Sequence, residues 1–287
     1  MGLLSKYKRH HWDLAFVEAK DGDWLKGDWK FSWVKYSTKK QWFADPFVLD
    51  VTDNAIYLLA EEYTYTRGIG RIAKLTIDRK SLEMTEVKIL LELPTHLSFP
   101  AILRLEDGIY IYPENGASGR QKVYKYNPDN DELSLVSVLI DAPVSDAIVV
   151  NDFEKPVILA TAKPESNGQR LTVFTSATVL GEYEKAYEIE FKERVARNAG
   201  ALFKNEGKLI RPAQIFEGKY GYGVGMSFQE VKQEADRMTL TEITKVRPPK
   251  GYEAMHTFNM YKGYTVVDAM QYNAPFVHSV LSFFKHR

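Results

Sequence analysis

Acidic and basic side chains that could bind or transform a ligand are spaced widely along this chain of 287 residues. Asp45 and Asp146 each precede a short apolar segment, and Glu114 ends another. Arg197 and Arg211 occupy similar positions further along. A guanidinium group can hold a phosphate or a carboxylate through two parallel hydrogen bonds, so a sugar nucleotide, sugar phosphate, uronic acid or lipid-linked phosphosugar would suit these arginines. Alternatively, the arginines neutralise the acids, and the residue types alone leave both possibilities open.

These residues follow an internal repeat of about fifty residues. Its copies open at residues 43–46 (Phe-Ala-Asp-Pro), 97–100 (Leu-Ser-Phe-Pro), 144–146 (Val-Ser-Asp), 198–200 (Asn-Ala-Gly) and 256–259 (His-Thr-Phe-Asn). When the copies are aligned on Asp45, Phe99, Asp146, Ala199 and Thr257, the intervals are 54, 47, 53 and 58 residues. A repeat of this length built from short strands is typical of a β-propeller, in which each copy forms one blade.

Apolar runs bounded by turn residues predict the strands of each blade. Predicted second strands are 55–61, 108–114, 156–161, 208–213 and 263–268; third strands are 70–77, 121–126, 169–175 and 222–231; fourth strands are 85–91, 133–140, 187–191 and 239–244. The fifth copy ends after a strand at 277–284, so we expect the strand at 11–18 to complete that blade and remove a free sheet edge. The sequence therefore predicts an all-β, five-bladed β-propeller whose ring is closed by the N-terminal strand.

We expect this propeller to be a single domain over residues 1–287. Its blades are expected at roughly 41–93, 94–142, 143–193, 194–247, and 248–287 with strand 11–18. No segment rich in Pro, Gly or Ser divides the sequence, and all-β domains of this length are common.

The composition excludes several classes of function. Lys and Arg together number 38, as do Asp and Glu, so no strong field favours nucleic acid or an anionic membrane. The chain has no cysteine, which excludes disulfides and cysteine-built zinc sites. No run approaches the roughly 18 apolar residues of a membrane span, so we expect no integral membrane span and a cytoplasmic location. Association of residues 276–284 with a membrane surface stays open.

A propeller gathers the starts of its repeats around a central funnel, which would bring these polar residues to one site. Besides the arginines, His96, Gln214, His256 and Asp268 are expected to bind a ligand there. Burying many charged groups near an axis costs stability unless they pair with one another or bind something. Two histidines and a carboxylate can hold a metal, but His96 and His256 fall in different blades without short ligand spacing. No metal or other cofactor is therefore expected.

Other residues are expected at the funnel without an assigned role. Glu61 ends the second strand of the first repeat, as Glu114 does in the second. Several aromatic rings could stack on the apolar face of a sugar, namely Trp42, Phe99, Tyr112, Tyr220 and Tyr222. Packing between blades is the alternative role for these rings.

Several motifs resemble known propellers. They are residues 44–47 (Ala-Asp-Pro-Phe), 96–100 (His-Leu-Ser-Phe-Pro), 112–114 (Tyr-Pro-Glu), 197–200 (Arg-Asn-Ala-Gly), 211–214 (Arg-Pro-Ala-Gln), 220–223 (Tyr-Gly-Tyr-Gly) and 256–259 (His-Thr-Phe-Asn). The placement of the acids resembles the five-bladed glycoside-hydrolase superfamily that includes arabinanases, xylosidases, invertases and levansucrases. More specifically, roughly residues 40–270 resemble the N-terminal propeller domain of plant glucosamine inositolphosphorylceramide transferase and its bacterial relatives.

The resemblance to the hydrolase superfamily implies roles for three acids. Asp45 would be the base or nucleophile, Asp146 would tune a pKa and orient its neighbour, and Glu114 would be the general acid. Glycosyl transfer to water needs one protonated and one ionised carboxyl beside the bond. Glu114 departs from the superfamily, whose acid usually lies in a later blade, and Arg197 stands near the head of the fourth repeat instead.

The sequence thus predicts a carbohydrate-active protein whose funnel holds a glycosyl or phosphosugar ligand, with glycosidase or glycosyl-transfer activity by paired carboxylates as one form of this function. The alternative is a non-catalytic propeller that binds a glycan or glycolipid during polysaccharide or glycolipid assembly. A third possibility is a protein-interaction propeller with a structural polar axis, because one fold can host all three. The expected partners are a sugar, sugar phosphate or glycolipid, and not nucleic acid. The resemblance does not imply the plant transferase reaction, because in that family the reaction belongs to a separate C-terminal domain.

Overall fold

The computed structural model describes residues 9–37, 40–218, 221–234 and 237–273. These residues form five four-stranded antiparallel sheets, one for each blade, which confirms the predicted all-β, five-bladed propeller. The strand expected at 277–284 and the membrane association considered for 276–284 fall outside the described residues. Within the described part of the chain, no helix has the length and hydrophobicity needed to cross a bilayer.

Four blades are continuous in sequence. The chain begins with β1 (Arg9–Ala19) and β2 (Trp29–Trp33), which belong to the last blade. Blade 1 contains β3 (Gln41–Val51), β4 (Ala55–Thr64), β5 (Gly70–Asp78) and β6 (Met84–Leu91); blade 2 contains β7 (Ser98–Leu105), β8 (Gly108–Glu114), β9 (Gln121–Asn127) and β10 (Glu132–Ile140). Blade 3 contains β11 (Val144–Val150), β12 (Val157–Ala162), β13 (Arg170–Thr175) and β14 (Glu184–Glu190); blade 4 contains β15 (Phe203–Asn205), β16 (Lys208–Gln214), β17 (Met226–Glu234) and β18 (Arg237–Val246). Two short 3₁₀ turns lie at Trp24–Lys26 and Gly116–Ser118.

Blade 5 joins the two ends of the described chain. Its strands β19 (Phe258–Tyr261) and β20 (Tyr264–Asn273) pair with β1 and β2 in the order β19-β20-β1-β2. Arg9 lies opposite Asn273 in the pairing of β1 with β20. The N-terminal part of the chain therefore closes the ring as predicted, but with two strands instead of one. Strand β2 alternates aromatic and polar residues, the pattern of a half-buried strand, so its signal was present in the sequence.

A β-bulge marks the same point in the first strands of blades 1, 2 and 3. Asp45, Phe99 and Asp146 have positive φ angles of 52°, 45° and 46°, and the register of each first strand shifts there. These are three of the five residues on which the repeat aligns, so the first three copies share a backbone conformation as well as a residue pattern. Non-glycine residues rarely adopt this left-handed conformation, and surrounding contacts must hold them in it.

The third strand of blade 4 begins four residues later than the expected start at 222. Gly223 and Gly225 have φ angles of 56° and 150°, which favour glycine and interrupt the strand. A Cβ on Gly225 would also lie 2.5 Å from the carbonyl oxygen of Val246. Tyr222 consequently lies outside the sheet.

Aromatic rings pack between neighbouring blades. Phe228 of blade 4 lies 5.2 Å from Phe258 and 5.9 Å from Trp29, both of blade 5, measured between ring centroids. Phe47 of blade 1 meets Phe99 of blade 2 edge to face at 5.1 Å. Aromatic pairs of this kind contribute about 0.5–1.5 kcal/mol beyond the burial of their area. The blades are thus held together by apolar contacts, and their inner strand starts are left to carry the polar groups.

Candidate functional site

Carboxylates at the axis of the propeller each bind the bulge of the next blade. The backbone N–H of Asp45 donates to Asp268 Oδ2 at 2.9 Å, that of Phe99 to Asp45 Oδ2 at 3.0 Å, and that of Asp146 to Glu114 Oε2 at 3.2 Å. These bonds link blade 5 to blade 1, blade 1 to blade 2, and blade 2 to blade 3. Hydrogen bonds to an ionised acceptor are strong and fix the left-handed residues in place. The structure therefore brings the four predicted acids together and gives Asp45, Glu114 and Asp268 a structural role.

His256 joins this network where blade 5 meets blade 1. Its Nδ1 lies 2.8 Å from Asp268 Oδ2, and its Nε2 lies 3.8 Å from Asp45 Oδ1. Thr257 donates its hydroxyl to the same Asp45 oxygen at 2.9 Å. Burial favours the neutral imidazole, but Asp268 and Asp45 outweigh it and raise the pKa of His256. Burial also raises the pKa of Asp45, against the opposing charge of His256.

Three of these side chains have the spacing of a metal site. One ligand atom each from Asp45, His256 and Asp268 lies within 4.8 Å of the others. Asp268 Oδ1, however, already accepts the backbone N–H groups of His256 and Thr257 at 3.1 Å and 3.0 Å. Protein donors therefore account for the geometry of this cluster.

Arg197 spans the acids of blades 2 and 3. Its guanidinium donates to both carboxylate oxygens of Asp146 and contacts Glu114 Oε2 at 3.3 Å. Lys163 Nζ donates to Glu114 Oε1 at 2.7 Å, and Gln214 Nε2 donates to Asp146 Oδ2 at 2.6 Å. Arg197 and Gln214 are thus beside the acids. Arg197 binds those acids in the way that the counter-ion alternative describes, and Gln214 adds a neutral amide donor.

The pKa values of the two acids bound to Arg197 move in opposite directions. Burial acts to raise the pKa of Glu114, but Arg197 and Lys163 outweigh it and lower the pKa to about 2. Burial raises the pKa of Asp146, and Arg197 opposes this only in part. Such a pair has the proton affinities of an acid and a base. Glu114 and Asp146 are only 5% and 1% exposed, so solvent hardly reaches either carboxyl group in this structure.

Arg211, expected to bind a ligand, is fully buried. Its Nε donates to Asn198 Oδ1 and its Nη1 to Gln229 Oε1, both at 2.7 Å, and its Nη2 donates to the carbonyl of Ala196. Burial beside these neutral acceptors lowers the pKa of Arg211 to about 9. The guanidinium donates its hydrogen bonds to acceptors inside the protein. This favours a structural role for Arg211 over the ligand-binding role expected from the sequence.

A cavity of about 690 Å³ opens beside His256, the residue that contacts Asp45 and Asp268. Its wall is mainly aromatic and includes Trp12, Trp42, Tyr63, Tyr65, Tyr222, His96, His256, Glu61 and Glu253. Trp42 stacks on Tyr63 with ring centroids 4.6 Å apart and planes inclined by 9°. Trp12 stacks on His256 at 4.0 Å. Broad, flat aromatic surfaces of this kind suit the apolar face of a sugar ring.

Glu61 and His96 supply polar groups on the cavity wall between blades 1 and 2. The backbone N–H of Gly70 donates to His96 Nδ1 at 2.9 Å, and His96 Nε2 lies 3.5 Å from Glu61 Oε1. Burial raises the pKa of Glu61 well above its ordinary value, and the charges of Asp45 and Glu114 add to this. Burial lowers the pKa of His96. Burial therefore favours the neutral form of both side chains on this wall.

The sequence predicted only some of the residues that line this cavity. Trp42 and Tyr222 were expected to be able to stack on a sugar and do lie on its wall, whereas Tyr220 falls outside the described residues. Tyr63 was missed, although it follows Glu61 by two positions in β4 and so points to the same face of the strand. Trp12 was missed because it was assigned only to ring closure.

Sequence comparisons relate this chain to plant transferases. The family model described as "Glucosamine inositolphosphorylceramide transferase 1, N-terminal" matches residues 32–263. Glucosamine inositolphosphorylceramide transferase 1 of Oryza sativa subsp. japonica is 29% identical over 245 residues, which cover 79% of this chain and 31% of the rice protein. Its counterpart in Arabidopsis thaliana is 26% identical over 231 residues, covering 78% of this chain and 29% of that protein. The chain thus spans about three tenths of the length of these relatives.

Solved structures with a similar fold include glycoside hydrolases. A thermostable family-43 glycoside hydrolase superposes with a TM-score of 0.59 at 15% identity, over 85% of this chain and 88% of the other. An α-L-arabinanase of Cellvibrio cellulosa, solved with arabinohexaose, gives a TM-score of 0.56 at 13% identity, over 80% and 88% of the two chains. Identities this low show a shared propeller fold and carry no assignment of catalytic residues.

Proposed function

This chain belongs to the family of N-terminal domains of glucosamine inositolphosphorylceramide transferase 1, and we propose that its aromatic cavity binds the sugar portion of a glycan or glycolipid without cleaving it. The observation that carries this proposal is the composition of the cavity wall. The stacked pair Trp42 and Tyr63 stands on the same wall as the polar pair Glu61 and His96.

The cavity has the size and lining of a small-ligand site. At about 690 Å³ it falls within the range of roughly 300–1,000 Å³ in which small molecules bind. A sugar presents an apolar ring face, which aromatic side chains cover, and hydroxyl groups, which a few polar side chains orient. The plant relatives are named glucosamine inositolphosphorylceramide transferases, and this name supports a glycolipid or its sugar as the ligand.

The arrangement of the acids supports binding over cleavage. A glycosidase places two carboxyl groups on either side of the bond that it breaks, one protonated and one ionised. In this propeller Asp45 and Glu114 hold the bulges of neighbouring blades, and Asp146 is bound by Arg197 on both of its oxygens. Each carboxylate is therefore engaged by protein donors.

Glycosyl cleavage or transfer is the second candidate function, and the proton affinities of the acids favour it. Glu114 has a lowered pKa, whereas Asp45 and Asp146 have raised ones. This candidate requires product from aryl glycosides or from a sugar nucleotide and an acceptor lipid. It also requires that Asp45→Asn abolish turnover while the fold is retained.

A matched pair of tryptophans tests the binding function. Trp42 stacks on Tyr63 at the cavity, and Trp33 stacks on Tyr252 with nearly the same geometry, 4.5 Å and 12°, in blade 5. We would titrate wild type, Trp42→Ala and Trp33→Ala with methyl glycosides of glucose, galactose, mannose and glucosamine, using calorimetry and ligand-observed NMR.

We expect Trp42→Ala to weaken binding at least tenfold, equivalent to about 1.4 kcal/mol, and Trp33→Ala to retain wild-type affinity. Failure of the wild type to bind any of these glycosides, or an equal loss in both variants, would overturn the proposal. Products appearing during long incubation would favour the catalytic candidate instead.

A further inference from the structure

We propose that the face of the propeller around the aromatic cavity docks on an anionic lipid bilayer, held there by basic and apolar residues at both ends of the chain. This interaction goes beyond sugar binding and can be measured without a sugar. Its basis is the place where the chain ends join the ring, the distribution of charge along the sequence, and the composition of the terminal segments.

Both ends of the described chain lie beside the cavity. His10 of β1 and Met270 of β20 are on the cavity wall, and the ladder between these two strands ends at the pair Arg9 and Asn273. Each end is therefore within three residues of the wall, a distance of roughly 10 Å at about 3.3 Å per residue. Both terminal segments consequently join the ring on its cavity side.

The two terminal segments, residues 1–9 and 274–287, have an excess of positive charge. They contain no Asp or Glu and five basic side chains, namely Lys6, Lys8, Arg9, Lys285 and Arg287. The whole chain has 38 residues of each charge, so residues 10–273 have 33 basic and 38 acidic side chains. The zero net charge of the chain thus conceals a segregation of positive charge to its ends.

The same segments are rich in apolar residues. Leu3 and Leu4 precede the first lysine, and six of the nine residues 276–284 are apolar, three of them phenylalanine. Basic side chains attract a segment to anionic headgroups, and neighbouring apolar side chains enter the boundary between headgroups and acyl chains. A nucleic acid would engage the charges and leave the apolar side chains in water, so a lipid surface is the partner that satisfies both.

The rim of the cavity suits the same boundary. Two tryptophans and two tyrosines lie on its wall, namely Trp12, Trp42, Tyr63 and Tyr65. Tryptophan and tyrosine are the side chains that concentrate at the headgroup level of a bilayer. The Tyr65 hydroxyl donates to the carbonyl oxygen of His10 at 3.3 Å, which links this rim to β1. Docking in this orientation would place the cavity among the headgroups, where the sugar of a glycolipid lies.

Co-sedimentation with vesicles tests the docking. The full chain is mixed with vesicles of phosphatidylcholine alone and with vesicles in which one quarter of the lipid is phosphatidylglycerol. One double variant, Phe283→Ser with Phe284→Ser, removes apolar side chains from the C-terminal segment. A second, Lys6→Glu with Lys8→Glu, reverses charge in the N-terminal segment.

The control removes apolar side chains elsewhere on the surface. Leu135 and Val136 are 58% and 44% exposed on the outer strand of blade 2, and Leu135→Ser with Val136→Ser should bind vesicles as the wild type does. We expect the wild type to bind the anionic vesicles at least about tenfold more tightly than the neutral ones, and each terminal double variant to lose about tenfold or more.

Three outcomes of the vesicle assay would overturn the inference. The first is a wild type that does not sediment with anionic vesicles. The second is an equal loss in the control variant. The third is a loss in the lysine variant alone, since charge without apolar insertion would then explain the binding.

Single cysteines can report which face meets the bilayer, because the chain has no cysteine of its own. Thr66 and Asp53 are exposed and lie just beyond opposite ends of β4; Thr66 follows Tyr65 on the cavity side. With an environment-sensitive fluorophore attached, anionic vesicles should shift the emission of Thr66→Cys and leave that of Asp53→Cys unchanged. An equal shift at both positions, or a shift at Asp53→Cys alone, would contradict the proposed orientation.

Titration with methyl glycosides separates this inference from the proposed function. A wild type that binds vesicles but no glycoside would overturn the proposed function and leave the docking intact. A wild type that binds glycosides but no vesicles would overturn the docking alone. The variant with serine at 283 and 284 should retain the glycoside affinity of the wild type, because the sugar contacts proposed for the cavity do not involve these two positions.

Discussion

The carboxylate of Asp268 accepts the backbone N–H of Asp45, 2.9 Å away and 223 positions earlier in the chain. Asp45 then uses its own carboxylate in the same way on Phe99, 54 positions later. Asp268 and Asp45, which the sequence suggested as site residues, thus also hold the next blade in place. Substitutions of these acids must therefore be assessed for their effect on stability as well as on ligand binding.

Replacing Asp268 should destabilise the protein strongly. The change Asp268→Ala leaves the buried N–H groups of Asp45, His256 and Thr257 without their acceptor, and each buried unpaired group costs about 1–3 kcal/mol. We expect a loss of about 3 kcal/mol or more in the free energy of unfolding, measured by urea denaturation.

Asp50 provides the control for this substitution. It also links blade 1 to blade 5, through Lys262 at 2.5 Å, but both side chains are nearly half exposed. Exposed ion pairs contribute little, so Asp50→Ala should cost a small fraction of the loss seen for Asp268→Ala. Equal losses would show that the buried hydrogen bonds are not what makes Asp268 important.

Arg197 should be needed for folding because it neutralises two buried acids. Removing one partner of a buried ion pair typically costs about 3–5 kcal/mol, and Arg197→Met leaves both Asp146 and Glu114 without it. Arg170→Met, which breaks an exposed pair with Glu165, should leave the unfolding midpoint unchanged. Adding Asp146→Asn to Arg197→Met should restore part of the loss, and further destabilisation by that second change would contradict this account.

Glu61→Gln should stabilise the protein more as the pH rises. Burial raises the pKa of Glu61 in the folded state, so between the unfolded and folded pKa values the folded protein holds a proton that the unfolded chain has released. The stability of the wild type therefore falls as the pH rises through this window. Glutamine does not titrate, so the gain from the substitution should grow by at most about 1.4 kcal/mol per pH unit. Denaturation series between about pH 5 and pH 8 measure it; a gain that stays constant would show that the pKa of Glu61 is not raised.

Arg211 should matter for stability and not for sugar affinity. Its guanidinium binds the side chains of Asn198 and Gln229 and nearby carbonyls inside the protein. Lysine cannot reproduce this planar set of donors, so Arg211→Lys should lower the free energy of unfolding by about 1–3 kcal/mol. Below the new unfolding transition, binding of methyl glycosides should match the wild type; a large loss of affinity would restore the ligand-binding role expected from the sequence.

The fold was partly predictable because the first three repeats form the same bulge. The block that contains Asp45 or Asp146 recurs since the backbone N–H at that point needs an acceptor from the preceding blade. A structural requirement of this kind leaves a residue pattern at a regular interval. The place of these acids followed from it, whereas the fourth and fifth repeats were predicted from their apolar strand patterns.

The partners of each side chain were not predictable to the same degree. Arg211 was expected at the funnel because it lies near the end of a second strand. Two of its actual acceptors are the backbone carbonyls of Val195 and Ala196, which no residue type in the sequence reveals. The pairing of Glu61 with His96 depends on the space that Gly70 leaves open. Packing of that kind is a property of three separate segments, and no interval in the sequence encodes it.

Because β1 pairs with β20, the start of the described chain holds the ring of blades closed. A fragment bounded by the family match, residues 32–263, would keep Asp45, Glu114 and Asp146 but omit Asp268, all of β1 and β20, and most of β2. Blade 5 would keep only β19 intact, and the cavity would lose Trp12 from its wall. Such a fragment would carry three of the four acids of the site and lack both the closed ring and the intact pocket.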